Sequence, residues 1–152
     1  MINIRPVNPS EPSVRDLIAF HLTGMTSNSP KDSVYALDVS GLSEPDITLF
    51  GAFEAHECLS IGALKRLNTE TGEIKSMRTA TTATGRGIGK QILEYIIGTA
   101  REAGMKTLVL ETGTGNSFAA AHHVYKIYGF QPCAEFGKYK QTEFNRFFSL
   151  AL

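Results

Sequence analysis

The sequence lacks an excess of charge of either sign. Its 15 basic residues balance its 15 acidic residues, and neither sign is gathered into a block. Domains that bind nucleic acid or an anionic membrane surface carry a basic face. The composition therefore argues against both, and we expect a small-molecule partner, no nucleic acid and no membrane.

Long apolar runs are missing as well. No stretch approaches the roughly 20 apolar residues that a membrane-spanning helix needs. The first residues, Met1 to Arg5, alternate polar and apolar side chains like a strand and lack the basic-then-apolar layout of a signal peptide. We therefore expect the protein to be cytoplasmic.

Cysteine is scarce and tryptophan is absent. Cys58 and Cys133 stand alone, without the paired Cys or His spacing of a metal site, and two thiols do not make a disulfide framework. We interpret both as core or surface thiols, and we predict no metal site.

Apolar residues, in contrast, are abundant enough for a core. The chain has 152 residues and a hydrophobic fraction of 42%, which is typical of one globular domain, here residues 1–152. Periodicity and turn residues predict the element order β α (α) β β β α β α β, in which short polar turns join three consecutive strands as an antiparallel meander. This order predicts an α/β fold with a mixed sheet and helices on both faces.

Local signals set the boundaries of these elements. Ser13 is predicted to cap the first helix, Gly104 and Gly129 are predicted to end the two later helices, and Phe130 is placed to complete a Schellman cap. The mostly apolar stretch 107–112 is typical of a central strand. The other strands are predicted at 2–7, 47–53, 59–67, 73–79 and 145–150.

The sharpest motif is the glycine-rich segment from Thr84 to Lys90, between a strand and the long helix. Its glycines let the main chain approach a ligand closely, and the free N–H groups at a helix N-terminus favour phosphate. A dinucleotide fingerprint would need glycine in place of Lys90, and a Walker A loop would need Ser or Thr in place of Gln91. Another kind of anion site remains, beside the alternative of a purely structural tight turn.

This segment resembles the central motif of the GNAT family of N-acetyltransferases. That motif is Arg or Gln, two variable residues, Gly, any residue, and then Gly or Ala. Gly87 and Gly89 match it, whereas Thr84 replaces the leading Arg or Gln.

Two further segments resemble the family in the expected order. Residues 73–79 are similar to its fourth strand, and residues 124–130 are similar to its late helix, including a tyrosine and the closing Gly-Phe pair. The strings at 75–79 and 110–113 are similar to a bacterial branch of the family. Three matches in order are more specific than one.

The resemblance implies a fold and a co-substrate. The fold is α/β (α+β in some schemes), with a mixed, mainly antiparallel central sheet of about six to seven strands. The co-substrate is acetyl-CoA, whose pyrophosphate is held by main-chain amides of the glycine turn and whose pantetheine arm pairs with the fourth strand. The residues implied in binding coenzyme A are Met77, Arg78, Thr79, Thr84, Gly85, Arg86, Gly87, Ile88, Gly89, Lys90, Thr112, Ser117 and Phe118. Because Phe118 stands where most members have Asn, Ser117 or Asn116 is expected to supply that hydrogen bond.

Acetylation of an amine needs a base for the amine and a proton donor for the leaving thiolate. The resemblance gives these catalytic roles to Glu73, which lies where one branch of the family carries its base, and to Tyr125, which matches a tyrosine near the coenzyme sulfur. Both have a plainer alternative, a solvated carboxylate and a core aromatic residue, and many relatives deprotonate the amine through water. A main-chain N–H within 77–79 is expected to stabilise the developing oxyanion.

The acceptor side is less specific. The residues expected to contact the acceptor are His21, Met25, Tyr35 and Glu111. Lys75 and Arg78 are candidates for binding an acceptor carboxylate, with a solvated face as the alternative. A histidine on a partly apolar helix face is more often structural, which is the alternative for His21.

Together these features predict an N-acetyltransferase that moves an acetyl group from acetyl-CoA to a primary amine of a small metabolite or amino acid by direct attack. A non-catalytic acyl-CoA-binding module and a protein lysine acetyltransferase are the alternatives. The aromatic C-terminal strand, with Phe144, Phe147 and Phe148, is a candidate surface for a homodimer.

Overall fold

A computed structural model describes residues 1–28 and 37–152. The strands are β1 (Asn3–Pro6), β2 (Ile47–Glu54), β3 (Glu57–Arg66), β4 (Thr71–Thr79), β5 (Thr107–Gly113), β6 (Gln131–Pro132) and β7 (Asn145–Ala151). The helices are α1 (Pro12–Asn28), α2 (Val39–Leu42), α3 (Ile88–Glu102) and α4 (Ala119–Ile127), with short 3₁₀ turns at Thr81–Ala83 and Asn116–Phe118. Within these two ranges, none of the helices has the length and apolar content that spanning a membrane requires.

The strands form one seven-stranded sheet in the order β1-β2-β3-β4-β5-β7-β6. Only β4 and β5 pair in parallel, and every other neighbouring pair in the described sheet is antiparallel. The predicted mixed, mainly antiparallel sheet is therefore confirmed. The two-residue strand β6 was not among the predicted strands, because so short a segment leaves no periodic signal.

Apolar clusters lie on both faces of the sheet. On one face α1 and α2 bury Val14, Leu17, Ile18 and Leu42 against β2 and β3. On the other face α3 and α4 pack on the sheet, and their buried side chains there are Ile88, Ile92, Leu93, Ile96, Ile97, Ala100 and Tyr125. Burial of one large apolar side chain stabilises a fold by about 1.5–3 kcal/mol. Because each helix layer buries several such side chains on the sheet, both layers contribute to the stability of the fold.

The start of α1 differs from the prediction. The helix begins at Pro12 rather than after a Ser13 cap, because the fixed φ and missing N–H of proline suit the first helical position. The Ser13 hydroxyl instead accepts a hydrogen bond from the Cys58 N–H, at 2.8 Å. This hydrogen bond ties α1 to β3.

The two later helices end as predicted. Gly129 has a φ of 93°, and the N–H of Phe130 donates to the carbonyl of Tyr125 at 3.0 Å. This hydrogen bond and the buried Phe130 side chain make the Schellman cap. Gly104, with a φ of 81°, follows the last residues of α3 in the same conformation.

Strands β4 and β5 separate halfway along their length. Their pairing covers only Thr71–Ile74 against Thr107–Leu110, although β4 continues to Thr79 and β5 to Gly113. Ser76 interrupts β4 with a φ of 56°, and the register between β3 and β4 shifts nearby. A β-bulge of this kind bends its strand and disrupts regular pairing. We call the opening between residues 75–79 and 111–113 the wedge.

The predicted dimer surface is largely internal. Strand β7 lies between β5 and β6, so it has neighbours on both sides. Phe147 and Phe148 are buried within the chain, and of the three aromatic residues Phe144 alone is exposed. The prediction was wrong for Phe147 and Phe148, because the sequence pattern did not reveal the short strand beside them. A homodimer as such stays a prediction.

Candidate coenzyme and acceptor site

The glycine turn has a conformation that glycine adopts without strain. Gly85 and Gly87 have φ values of 81° and 75°, and Gly87 is the N-cap residue of α3. A Cβ atom at either position would meet nothing within 4 Å. The main chain therefore borders open space at the N-terminus of α3, and a ligand can approach it closely.

The N–H groups of this turn have no acceptor in the described part of the chain. The first hydrogen bond of α3 runs from the Gln91 N–H to the Gly87 carbonyl, and none begins at the N–H groups of residues 85–90. The helix dipole adds positive potential at the same place. Free N–H donors in this potential suit a diphosphate.

The turn also packs on the end of β4. A Cβ atom on Gly89 would lie 3.2 Å from Thr79 Oγ1, and that oxygen lies 2.9 Å from the Ser60 hydroxyl on β3. The missing side chain of Gly89 therefore brings the free N–H groups beside the edge of β4 that borders the wedge. A ligand bound by the turn has a path along residues 75–79.

Side chains near the turn are engaged elsewhere or solvated. Arg86 forms an ion pair with Glu54 at the end of β2, at 2.7 Å, and both side chains are about half exposed. The Thr84 hydroxyl donates to the Thr81 carbonyl at 3.0 Å and stabilises the preceding turn. Lys90 is exposed. Anion binding at this place depends mainly on the main chain.

The bulge at Ser76 determines which helix layer each side chain of β4 faces. Met77 packs on the α3 side, where a Cβ atom on Gly62 would lie 2.5 Å from Met77 Sδ. Arg78 faces α1, where its Nε donates to His21 Nδ1 at 3.0 Å. The Ser76 hydroxyl oxygen is buried and has no hydrogen-bond partner among the described residues. Unpaired buried hydroxyls are rare in folded proteins, and this one belongs to the bulged residue of β4.

A buried polar cluster lies where the wedge closes. Glu73 is 3% exposed, and Lys75 Nζ lies 3.2 Å from its Oε2 atom. The Tyr139 hydroxyl donates to the same carboxylate oxygen and accepts from Lys75 Nζ. A buried charge needs such compensation. Glu73, the predicted base, is therefore covered by Lys75 and Tyr139.

Glu111 on β5 is the second carboxyl group of this region. It follows directly after the last residue of β5 that pairs with β4. Burial raises the pKa of Glu111 to about 7, the Glu73 charge adds to this effect, and the Asn145 side chain and the Lys75 charge oppose it. A group with a pKa near 7 can take up and release a proton near neutral pH.

Tyr125 lies in α4, in the helix layer that also contains α3. Its ring packs between those of Phe130 and Phe148, with centroid separations of 5.6 and 6.3 Å. Burial raises the pKa of Tyr125 to about 12, and no hydrogen bond joins its hydroxyl to another described residue. The hydroxyl keeps its proton at neutral pH, which a proton donor requires.

The residues predicted to contact the acceptor differ in burial, and one of them lies outside the described part of the chain. His21 is 6% exposed, and burial together with the Arg78 charge lowers its pKa to about 4. A neutral His21 can accept the hydrogen bond from Arg78, so it positions that guanidinium. Met25 is partly buried on the same helix, and Tyr35 lies outside the described residues.

The remaining predicted coenzyme residues surround the end of β5. Thr112 is buried in the strand. The Phe118 ring packs on Gly113 so closely that a Cβ atom at Gly113 would overlap the ring. Ser117 and Asn116, the predicted substitutes for the family's Asn, are exposed in the 3₁₀ turn that follows.

Tyr139 is the polar residue that the sequence patterns did not reveal. It comes from the loop between β6 and β7 and reaches a carboxylate 66 positions earlier in the chain. That loop has no helical or strand periodicity that would predict its course.

The two cysteines lie apart from this site. Cys58 is buried in β3, where burial raises the pKa of its thiol to about 11, and Cys133 is partly buried. Neither forms a disulfide. Over residues 1–28 and 37–152, no three His, Cys, Asp or Glu side chains gather in a way that could hold a metal ion.

Comparison with known proteins gives matches over most of the chain. The model of the Acetyltransferase (GNAT) family matches residues 14–130. The uncharacterized N-acetyltransferase YedL of Escherichia coli is 40% identical over 152 residues, covering 100% of this chain and 96% of that protein. The uncharacterized N-acetyltransferase YsnE of Bacillus subtilis is 44% identical over 126 residues, covering 83% of each chain.

Solved structures share the fold. A Klebsiella pneumoniae protein described as an acyl-CoA N-acyltransferase superimposes with a TM-score of 0.84 at 24% identity, over 100% of this chain and 98% of that one. A GNAT family acetyltransferase from Elizabethkingia anophelis with acetyl-CoA bound gives a TM-score of 0.68 at 22% identity, over 99% and 98%. At these identities the likeness concerns the fold.

Proposed function

Because the chain belongs to the GNAT family and is an acetyl-CoA-dependent N-acetyltransferase, we propose that it transfers the acetyl group to the primary amine of a small metabolite or amino acid. The amine attacks the thioester directly, and the chain supplies a base and a proton donor. The observation that carries this proposal is the row of free N–H groups at residues 85–90, which lies beside the wedge between β4 and β5.

The coenzyme has one continuous path on this surface. Main-chain N–H groups of the glycine turn bind the pyrophosphate, with the dipole of α3 behind them. The edge of β4 at residues 75–79, which β5 leaves unpaired, offers main-chain groups to the pantetheine arm in the manner of an added strand. The acetyl group then lies in the wedge next to Ser76 and Met77, where a main-chain N–H can donate to the oxyanion.

Two carboxyl groups compete for the role of base. Glu73 is the residue implied by the family resemblance, but both Lys75 and Tyr139 donate to its Oε2 atom. A proton reaches Glu73 through water or through Tyr139. Glu111 is less buried, and its pKa of about 7 suits general base catalysis near neutral pH. Glu73 is our proposed base, and Glu111 is its direct competitor.

Tyr125 is the proposed proton donor to the coenzyme thiolate. Its ring is buried, its hydroxyl stays protonated below the raised pKa of about 12, and the described hydrogen bonds include none that would have to break. Because a buried thiolate would be costly, a nearby O–H group stabilises the leaving group.

The test is an amine panel with acetyl-CoA, followed by release of free thiol, on the wild type and on Glu73→Gln, Glu111→Gln and Tyr125→Phe. Loss of a general acid or base lowers kcat by about 10²- to 10⁴-fold, so the carboxyl variant with that loss identifies the base. Glu102→Gln, an exposed change at the end of α3, is the matched control. Unchanged turnover in both carboxyl variants contradicts the base assignment.

A second measurement separates the enzyme from a non-catalytic binding module. Coenzyme A should raise the midpoint of thermal unfolding, since a ligand that binds only the folded state stabilises it by mass action. Stabilisation without turnover of any amine would favour the binding module. Turnover of lysine-containing peptides in preference to free amines would favour a protein acetyltransferase.

We further propose that the enzyme acts in a bacterial cytoplasm. The relatives YedL and YsnE are bacterial proteins, and acetyl-CoA is a metabolite of the cell interior. Fractionation of the native host with an antibody to this chain tests the location.

A further inference from the structure

Arg78 carries a positive charge that no carboxylate compensates in the described part of the chain. Its side chain is half-buried on the α1 side of β4. The ion pairs of the described residues engage Arg5, Lys75, Arg86 and Lys106, and none engages Arg78. A half-buried cation without an anion is unfavourable, so a bound anion would stabilise it.

Three contacts hold the guanidinium in one orientation. Its Nε donates to His21 Nδ1 at 3.0 Å, and its central carbon lies 5.4 Å from the centroid of the Phe20 ring. At Gly24 a Cβ atom would lie only 2.9 Å from Arg78 Nη2. The helix therefore leaves room for the guanidinium at the position where a side chain is missing.

The held orientation leaves the two Nη groups for a ligand. His21 occupies the Nε donor, and no hydrogen bond runs from either Nη atom to a described residue. The two Nη groups of an arginine form a planar fork that matches the two oxygens of a carboxylate. The fork is thus fixed before the ligand arrives.

The opposite charge lies at the other end of the same strand segment. Glu73 and Glu111 lie near the closed end of the wedge, and Arg78 is three residues beyond Lys75 along β4, at most about 10 Å because the bulge at Ser76 shortens the strand. On the proposed coenzyme path, the reacting amine lies between these ends, beside Ser76. An amine that also carries a carboxylate is complementary to this distribution of charge.

We propose that the acceptor is a carboxylate-bearing amine, an amino acid in the broad sense, whose carboxylate is bound by the guanidinium of Arg78. This inference rests on the proposed acetyl transfer, because it places the acceptor's amine in the wedge. It narrows the acceptor from primary amines in general to amines with an anionic group within reach of α1.

The experiment compares matched acceptors and matched variants. Each amino acid of a panel is assayed beside the amine that lacks its carboxylate, such as phenylalanine beside phenethylamine. The variants are Arg78→Gln and Gly24→Ala, in which the new methyl group pushes the guanidinium aside while alanine favours the helix. The control is Arg66→Gln, which removes an exposed charge at the far end of β3.

The expected result is a wild type that prefers the carboxylate-bearing member of each pair. Arg78→Gln should raise KM for that member by about 10- to 100-fold, the range for loss of a hydrogen bond to a charged group, without raising KM for the amine that lacks the carboxylate. Gly24→Ala should act in the same direction, and Arg66→Gln should match the wild type. The Kd for coenzyme A should stay the same in all variants, since the proposed coenzyme path uses only main-chain groups of β4.

Two results would overturn the inference. One is a wild type that acetylates the carboxylate-free amines better, which leaves acetyl transfer intact. The other is a Kd for coenzyme A that rises in Arg78→Gln, which assigns the guanidinium to a coenzyme phosphate.

If no amine reacts, the proposed acetyl transfer is refuted, but the carboxylate site can still be tested. The test is calorimetric binding of the amino acids to the complex of the protein with coenzyme A. Binding that Arg78→Gln abolishes supports the site. Absence of binding to the wild-type complex refutes it.

Discussion

Replacing Glu111 with glutamine should make the protein more stable at high pH. Glu111 lies beside the wedge, and burial raises its pKa from an ordinary 4.5 to about 7. A carboxyl group in this state resists ionisation in the folded chain more than in the unfolded chain. Above pH 7 the wild type must nevertheless ionise it, so the folded state carries a cost that glutamine does not have.

The size and the sign of the effect follow from the linkage between proton binding and folding. Because the folded-state pKa is raised, the folded chain binds more protons than the unfolded chain between pH 4.5 and 7, and stability falls as the pH rises through that window. The shift corresponds to about 3.4 kcal/mol at most, and solvent screening of a partly exposed group reduces this to about 2 kcal/mol. For a domain of this size that is an increase in Tm of roughly 4 to 8 °C.

The assay is urea or thermal unfolding of wild type and Glu111→Gln at about pH 4 and about pH 8, which lie below and above the window of linkage. The variant should be more stable at the higher pH, and the difference should nearly vanish at the lower pH, where the protonated form prevails in both states. Other titrating groups that the substitution leaves unchanged, such as His21, contribute equally to the stability of both proteins, so their contributions cancel when the two are compared. Equal stability at the higher pH, or a gain of the same size at both, would refute the reasoning about Glu111. The exposed Glu102→Gln should show no difference that depends on pH.

Three further predictions concern single side chains. Gly87→Ala should weaken coenzyme A binding by at least about tenfold in calorimetry, since the methyl group enters the space before the free N–H groups, and the positive φ of 75° should add about 1–2 kcal/mol of strain; unchanged affinity would argue against the glycine turn as the pyrophosphate site. Tyr125→Phe should lower kcat by about 10²-fold or more while the free energy of unfolding changes little, because the hydroxyl has no described hydrogen-bond partner to lose; a large loss of stability with normal kcat would make it a core residue only. Ser13→Ala should destabilise the chain by about 1–3 kcal/mol in urea unfolding, because the Cys58 N–H loses its acceptor, whereas Ser10→Ala at the surface should not.

The elements that could be predicted from the sequence are those whose signals are local. Gly129 and Phe130 determine their own helix end, since the hydrogen bond from Phe130 to Tyr125 spans one turn. The apolar stretch 107–112 is recognisable as a central strand because it pairs with a neighbour on each side. The glycine turn likewise depends on residues that are close in sequence, which is why its conformation agrees with the motif.

The rest of the site depends on contacts between distant residues. Tyr139 reaches Glu73 across 66 positions. Arg78 and His21 are 57 positions apart. The sequence identified each of them as a separate candidate, but it could not reveal the hydrogen bond between them. Ser13 was misjudged for a local reason, since the helix begins one residue earlier, at a proline.

Several polar groups without a described partner lie along one stretch of the chain. The N–H groups of residues 85–90, the edge of β4 beyond Ile74, the Ser76 hydroxyl and the Arg78 fork all border the wedge or its approach. Folded proteins pair most of their buried polar groups; the Ser76 hydroxyl is a buried exception, whereas most of the glycine turn is exposed and can be reached by a ligand.

These groups follow the order in which an acyl-CoA and its acceptor would need them: diphosphate, amide chain, acyl oxygen and acceptor anion. A single ligand pair, an acyl-CoA and a carboxylate-bearing amine, would satisfy all of them together. The bulge at Ser76 keeps β5 from pairing with the end of β4. The sheet loses hydrogen bonds there, and the main-chain groups of β4 that would have formed them remain available to the ligands.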